Sequence, residues 1–242
     1  MKPEKVNHFE VGLKTQFLDR RITFNLAAYL TEITDYQATV NNGQLTVIRG
    51  YLANAGKVRS RGFEFDSSFR PSDRLNLYVN GAYTDATYEK FKNAPCPPEL
   101  SGGTVTTGTP GAPGVPGLSP VVCDISGRVL PGISKWAFSW GGEYNVPLGG
   151  SGGQAYLGYD GSYRSKFSSN PSPSAYTWID GYSLSNFRAG YRQDDFNVFG
   201  WVRNAFDQHY FELLSVQSGS TGLIVGQPGD PRTYGLTISK SF

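Results

Sequence analysis

Only two histidines, His8 and His209, are available as general bases in this 242-residue chain. A nucleophilic site needs a nucleophile, a base and an orienting group within reach of one another. His8 alternates with Phe9 near the start of an extended segment, which suits a strand or rim residue. His209 lies in "FDQHY" with Ser215 a few residues on, and nothing marks the two as parts of a triad. No catalytic residue is expected, and no enzyme. Glu64 and Asp66 stand two residues apart, so an extended chain puts both on one face. Carboxylates so placed can hold a cation or move a proton, but on a wetted strand face they more often bond solvent or a packed partner. "GGSGG" does not lead from a strand into a helix, so it reads as a turn and not a phosphate cradle. No metal or cofactor site is expected.

Cys96 and Cys123 are the two cysteines, and both fall in one Pro/Gly-rich stretch. Its "GTPGAPGVPG" is too short for a collagen helix and reads as an extended loop. Two thiols without further ligands do not make a zinc site. In an oxidising compartment the pair would close a loop of about 28 residues, which restricts the unfolded chain by roughly 3 to 4 kcal/mol. Two free thiols are the alternative; the bond is the expectation.

The frame that must carry these residues is written in alternation. Hydrophobic residues make up 38% of the chain and aromatics 14%, yet no run approaches the roughly 18 to 20 apolar residues of a spanning helix. Residues 7–18 put Phe9, Val11, Leu13 and Phe17 on one face and His8, Glu10, Lys14 and Gln16 on the other. Comparable strands are expected over 22–39, 58–70, 75–91, 134–146, 154–167, 181–192 and 196–206. The closing segment, "TYGLTISKSF", puts Tyr234, Leu236, Ile238 and Phe242 on one row, an unusually apolar finish for a chain end. That makes about nine strands. Their connections alternate short and long. "DRR", "PSDR", "GGSGG" and "QDD" are short, whereas about 40–56, 92–130, 168–179 and 212–229 are long.

A soluble sandwich has no reason to sort loop length by end. An outer-membrane barrel has short turns on one side and long loops on the other. The second face is also too polar for a dry core, carrying His8, Glu10, Lys14, Glu64, Asp66, Glu143, Asp160 and Arg164. Burying those charges dry would cost several kcal/mol each, and a wet or plugged lumen removes the cost. The reading is an all-β, antiparallel transmembrane β-barrel. The formal charge of +2 and the scattered basic residues carry no nucleic-acid footprint. "MKPEKVNHFE" has no apolar leader core.

Several segments in order resemble the C-terminal barrel of TonB-dependent outer-membrane receptors. "KPEKVNHFEVGLKTQFLDRRITFNLAAYLTEITDYQ" resembles a family hairpin, "NAGKVRSRGFEFD" its Asn-Ala-Gly entry into a Gly-Phe-Glu strand, and "LNLYVNGAYTDATY" the strand after it. "VRNAFDQHY" resembles the Asn-Leu-Phe-Asp-x-x-Tyr stretch with Ala205 in the Leu place, and "GDPRTYGLTISKSF" the final strand. Lys240 departs from the usual apolar residue there. The resemblance implies that residues 1–242 are about nine C-terminal strands of a 22-stranded barrel, with the plug domain and TonB box missing. It also implies TonB-powered uptake of a ferric siderophore or other iron complex from outside the cell, at the outer membrane. Lipid and the barrel-assembly machinery are the further partners, the latter reading the strand of Tyr234, Leu236, Ile238 and Phe242. Residues 1–242 alone are expected not to transport. Tyr51, Tyr176, Trp178 and Phe211, aromatics near loop ends, either contact ligand or sit at the membrane interface. A small stand-alone barrel with a structural or adhesin role is the alternative.

Overall fold

The computed structural model describes residues 1–41, 50–94, 123–150, 152–170, 174–216 and 223–241. Its strands are β1 (Lys5–Phe17), β2 (Ile22–Asn41), β3 (Gly50–Ser72), β4 (Leu75–Phe91), β5 (Trp136–Pro147), β6 (Gln154–Arg164), β7 (Phe167–Ser168), β8 (Trp178–Ile179), β9 (Tyr182–Gln193), β10 (Phe196–Arg203), β11 (Phe211–Val216), β12 (Ile224–Pro228) and β13 (Thr233–Lys240). Nine of them form one antiparallel sheet in the order β1-β2-β3-β4-β5-β6-β9-β10-β13, and β7-β8 and β11-β12 form two small sheets. The main sheet is open: among the described residues β1 pairs only with β2, and β13 only with β10.

The alternation in the sequence becomes two faces because paired residues in an antiparallel ladder point the same way. One rung runs Leu13–Leu26–Phe65–Gly81–Phe138–Tyr163–Ser183, and another Leu77–Gly142–Tyr159–Phe187–Val202–Tyr234. The rungs between them carry polar side chains, as in Lys14–Asn25–Asp66–Asn80–Ser139–Ser162. A one-residue slip anywhere would swap the faces. The turns hold the register. Leu18, Asp19 and Arg20 all have positive φ (51°, 51° and 67°) between β1 and β2, and the Arg21 N–H bonds the Leu18 carbonyl at 3.0 Å. Between β5 and β6, Gly150 (φ 95°) and Gly152 (φ 73°) take conformations that a Cβ would strain.

Three boundaries differ from the sequence expectation. The connection placed at 40–56 is mostly strand, since β2 continues to Asn41 and β3 begins at Gly50. Those residues alternate poorly because a bulge near Asp35 (φ 56°) shifts the β2–β3 register. The long connections at 168–179 and 212–229 are not irregular throughout. They contain β8 and a one-turn 3-10 helix in the first case, and β11 and β12 in the second. Two- and six-residue strands are too short to show a period.

Burial is concentrated on the polar-face side of β2–β4, at the end where the connections are long. Val58, Tyr88, Phe91, Ala94, Cys123 and Ile125 form a closed cluster there, with Ile33, Tyr36 and Leu130 packed around it. Residues 123–130 fold back on the sheet. The Ile125 N–H reaches the Phe91 carbonyl at 2.9 Å, and Ala94 and Cys123 exchange two backbone bonds. The Ser126 hydroxyl and N–H hold the Asp124 carboxyl below its ordinary range and fix this turn. Cys96 lies outside the described residues, so its bridge to Cys123 is a proposal. The Ala94–Cys123 pairing supports it by bringing the chain to within two residues of Cys96. Non-reducing peptide mapping of exported protein should recover the two cysteine peptides joined. Full alkylation of both thiols without reductant would refute the bridge.

Candidate functional site

The polar face carries a network built across four strands. Glu143 (β5), Asp160 (β6), Arg188 and Arg192 (β9) and Tyr78 (β4) all point to this side. Arg188 donates through Nη2 to Glu143 at 3.2 Å and through Nη1 to Asp160. Arg192 Nη2 donates to the other Glu143 oxygen at 2.6 Å and to Asn145. The Tyr78 hydroxyl donates to Asp160 at 2.7 Å. Each long side chain lies flat on the wall, and glycine makes the room. A Cβ on Gly158 would fall 2.6 Å from the Arg188 guanidinium carbon, and one on Gly141 would fall 2.8 Å from the Tyr78 hydroxyl. Two cations and two carboxylates therefore neutralise one another along the wall. Beside them a cleft of about 720 Å³ opens toward the short turns, lined by Arg21, Arg70, Asn76, Tyr78, Glu143 and Arg188 among others.

The opposite, long-loop end is organised by tight packing. The Arg164 guanidinium sits 3.6 Å over the buried Phe167 ring. The Ser169 hydroxyl donates to the Leu214 carbonyl and accepts from its N–H, and Asn170 donates to Ser215 at 2.8 Å. These bonds tie the β6–β9 connection to β11. A second knot is Asn204, 5% exposed and at φ 46°. Its side chain donates to the carbonyls of Gln208 and Asp230 and accepts from the Gln208 N–H, all within 3.0 Å. Asp207 accepts the Arg232 N–H at 2.9 Å. The "NAFDQHY" stretch is thus a structural clasp that closes the β10–β13 connection.

Of the aromatics singled out near loop ends, Tyr176 is 65% exposed on the 3-10 turn, Trp178 opens β8 and Phe211 opens β11. The structure brings their elements together, because β11 packs beside β8 and that turn. The Tyr51 side chain lies outside the described residues. Tyr234, Leu236 and Ile238 share the apolar face of β13 opposite Val202, Gly200 and Val198, and Phe242 lies outside the described residues. His8 bonds Thr31 at 2.8 Å on the polar face of β1, and Asp66 accepts from Asn25 at 2.8 Å.

The apolar face ends abruptly toward the long loops. Phe63, Tyr83 and Trp136 form an aromatic cluster there, with centroids 4.7 to 5.9 Å apart. The next rungs on the same face are charged. Arg61 pairs with Asp85 at 3.1 Å, Arg59 with Glu89 at 2.7 Å, and Lys57 with Glu32 and Glu89 at 2.7 and 3.0 Å. On the reverse side of these rungs lies the dry cluster of Val58 and Tyr88, so the polarity of the wall inverts. The joining of the Glu143 network and the inversion were not read from the sequence. Arg188 and Arg192, four apart on a strand, were the signal for the first, and the basic alternation of "KVRSR" for the second.

A family model described as "TonB dependent receptor-like, beta-barrel" matches residues 1–205. The ferric-pyoverdine M114 receptor PbuA of Pseudomonas sp. (strain M114) is 26% identical over 100% of this chain and 25% of its own length. The metal-pseudopaline receptor CntO of Pseudomonas aeruginosa is 26% identical over 99% of this chain and 28% of its own. The chain thus spans about a quarter of the relatives it matches. Among solved structures, the ferric yersiniabactin uptake receptor FyuA from Yersinia pestis superposes with a TM-score of 0.69 at 16% identity, covering 99% of this chain and 30% of that one. The siderophore receptor PiuA from Acinetobacter baumannii gives 0.68 at 18%, covering 97% and 28%. At these identities the superpositions establish the fold.

Proposed function

The chain belongs to the TonB-dependent receptor-like β-barrel family, and from that premise we propose that it is the C-terminal wall of an outer-membrane receptor importing a metal chelate. The carrying observation is the nine-stranded antiparallel sheet with an apolar and a polar face along most of its height. The apolar face meets lipid in this reading. From Trp136 to Val146 an extended chain rises about 33 Å, and a tilt of about 40° leaves roughly 25 Å, the height of an outer-membrane apolar band. The polar face, its charges paired through Arg188 and Arg192, lines the lumen at low desolvation cost. The short turns then face the periplasm, and the long connections reach outside.

The cargo proposed is a ferric siderophore or similar metal complex, as named for the relatives. Tyr176, Trp178 and Phe211, with Tyr51, are proposed to meet it, since aromatic rings offer large apolar contact area to the organic part of a chelate. Energy would come from TonB through a plug lodged in the lumen. The row of Tyr234, Leu236, Ile238 and Phe242 is proposed as the strand that the barrel-assembly machinery recognises.

The test is uptake of radiolabelled ferric pyoverdine and of metal-loaded pseudopaline by receptor-null cells carrying the full-length receptor. TonB-dependent accumulation of either is the expected result. Accumulation of neither metal complex above the empty vector would overturn the assignment of cargo. Cells expressing residues 1–242 alone are expected to take up nothing, because a sheet with two unpaired edges encloses no lumen.

A further inference from the structure

Strand β10 is apolar on both faces. Val198 and Val202 stand on the apolar side, whereas Phe199 and Trp201 fall on the polar side with Arg188 and Arg192. Tyr156 of β6 joins them there, since Tyr156 and Phe199 both pair with Gly190. Glycine makes the room. A Cβ on Gly190 would fall 2.5 Å from the Phe199 Cβ and 2.8 Å from the Tyr156 ring, and one on Gly235 would fall 2.6 Å from the Trp201 ring. The polar tips are satisfied on the wall itself. Trp201 Nε1 donates to Thr237 at 3.2 Å, and the Tyr156 hydroxyl donates to Asn197 at 3.0 Å. The Arg203 guanidinium stands 5.0 Å from the Trp201 ring centre, and among the described residues no carboxylate pairs with it. Glu143 and Asp160 are already committed to Arg188 and Arg192. Asn186 uses its Oδ1 on the Asn204 N–H at 3.0 Å, which leaves its NH₂ for another acceptor. Asn186, Arg188, Phe199, Trp201, Arg203 and Thr237 line a pocket of about 320 Å³ beside the Asn204 clasp.

We propose that this pocket is a station on the barrel wall for a flat aromatic anion, the aryl carboxylate or phenolate arm of a chelate. The inference rests on the reading of the polar face as a lumen, and it names a substrate class within that reading. The ring of such a ligand packs offset or edge-on against Phe199 and Trp201, the arrangements that aromatic pairs prefer. Its charge meets Arg203, whose planar fork of donors matches a carboxylate. A saturated anion would gain the charge contact alone, and a neutral ring the packing alone, so the two halves of the pocket select together. An apolar segment of a plug packed on the same rings would bury Arg203 without a counter-charge, which is costly; an anion supplies that charge. The station is separate from Tyr176 and Phe211, which stand on the long connections and not on the wall.

The experiment uses the full-length receptor, plug included, purified in detergent. Radiolabelled azidobenzoate, an aromatic anion that bonds covalently to its surroundings on illumination, is mapped by peptide sequencing. Label is expected on the β10 peptide. Benzoate should displace it at a concentration about tenfold lower than cyclohexanecarboxylate, which has the same charge and no aromatic ring. Trp201→Leu and Arg203→Gln should each reduce labelling at low probe concentration about fivefold, and Arg203→Lys should reduce it less. Heat-modifiable gel migration, the sign of a folded barrel, should stay unchanged in all three. Equal displacement by the two acids in the native receptor would overturn the proposal whether or not the variants fold. Undiminished labelling of the folded variants would overturn it too. So would label found only on the plug or on the loops of Tyr176 and Phe211, the first meaning that the plug itself covers the rings. Label on β10 in a receptor that accumulates neither ferric pyoverdine nor metal-loaded pseudopaline would remove the cargo reading and leave the station. Accumulation without label on β10 would remove the station and leave the cargo reading.

Discussion

Arginine at Leu236 or Leu157 in the full-length receptor is expected to destabilise the folded barrel by about 2 to 4 kcal/mol, whereas arginine at Ser162 costs less than about 1 kcal/mol. Leu236 is 69% exposed and Leu157 58%, so in water neither substitution would disturb packing. The cost arises only if that face meets hydrocarbon, where a guanidinium loses its hydration. Ser162 lies on the polar rung with Ser139 and Asn80, next to other hydrogen-bonding groups. Urea unfolding in lipid vesicles, followed by tryptophan fluorescence, measures all three. Equal losses at the two faces, or none at the leucines, would mean that the apolar face does not meet lipid.

The second large effect is expected at Asn204. Replacing it with alanine removes the partner of the Gln208 N–H and of the Gln208 and Asp230 carbonyls that the buried amide now satisfies. Each hydrogen bond lost costs about 0.5 to 1.5 kcal/mol. Alanine also tolerates φ 46° less well than asparagine. The loss should reach about 2 to 4 kcal/mol, and it should be local: the clasp joins the ends of the β10–β13 connection, outside the nine-stranded ladder. Limited proteolysis should therefore cut Asn204→Ala between residues 205 and 232 while β10 and β13 stay protected. Asn204→Asp should restore part of the protection, because a carboxylate still accepts from Gln208. Unchanged proteolysis of the alanine variant would show that the hairpin β11–β12 is held by its other contacts, such as Ser169 with Leu214.

Nine long strands, their order of short and long connections, and the division into apolar and polar faces were legible in the sequence. A strand's period of two is a local property, and most of the nine are long enough to display it; β10 is the exception, apolar on both faces through Phe196 and Val198 and through Phe199 and Trp201. The family was legible too, because "RGFEF" and "VRNAFDQHY" are contiguous in the chain. What the sequence could not yield is whatever depends on which strands lie side by side. Glu143 and Arg188 are 45 residues apart, and they meet only because Gly158 stands between them on β6 and leaves a groove for the guanidinium. The link of Ser169 to Leu214 and the burial of Val58 under Ile125 are likewise contacts between segments with no shared local pattern. The polarity inversion on β3 shows the limit most plainly. "KVRSRGFEF" alternates without a break, but the sequence does not say that its first half stands against a folded loop and its second half does not. Alternation fixes which residues share a face; only the neighbours across the sheet decide what that face touches.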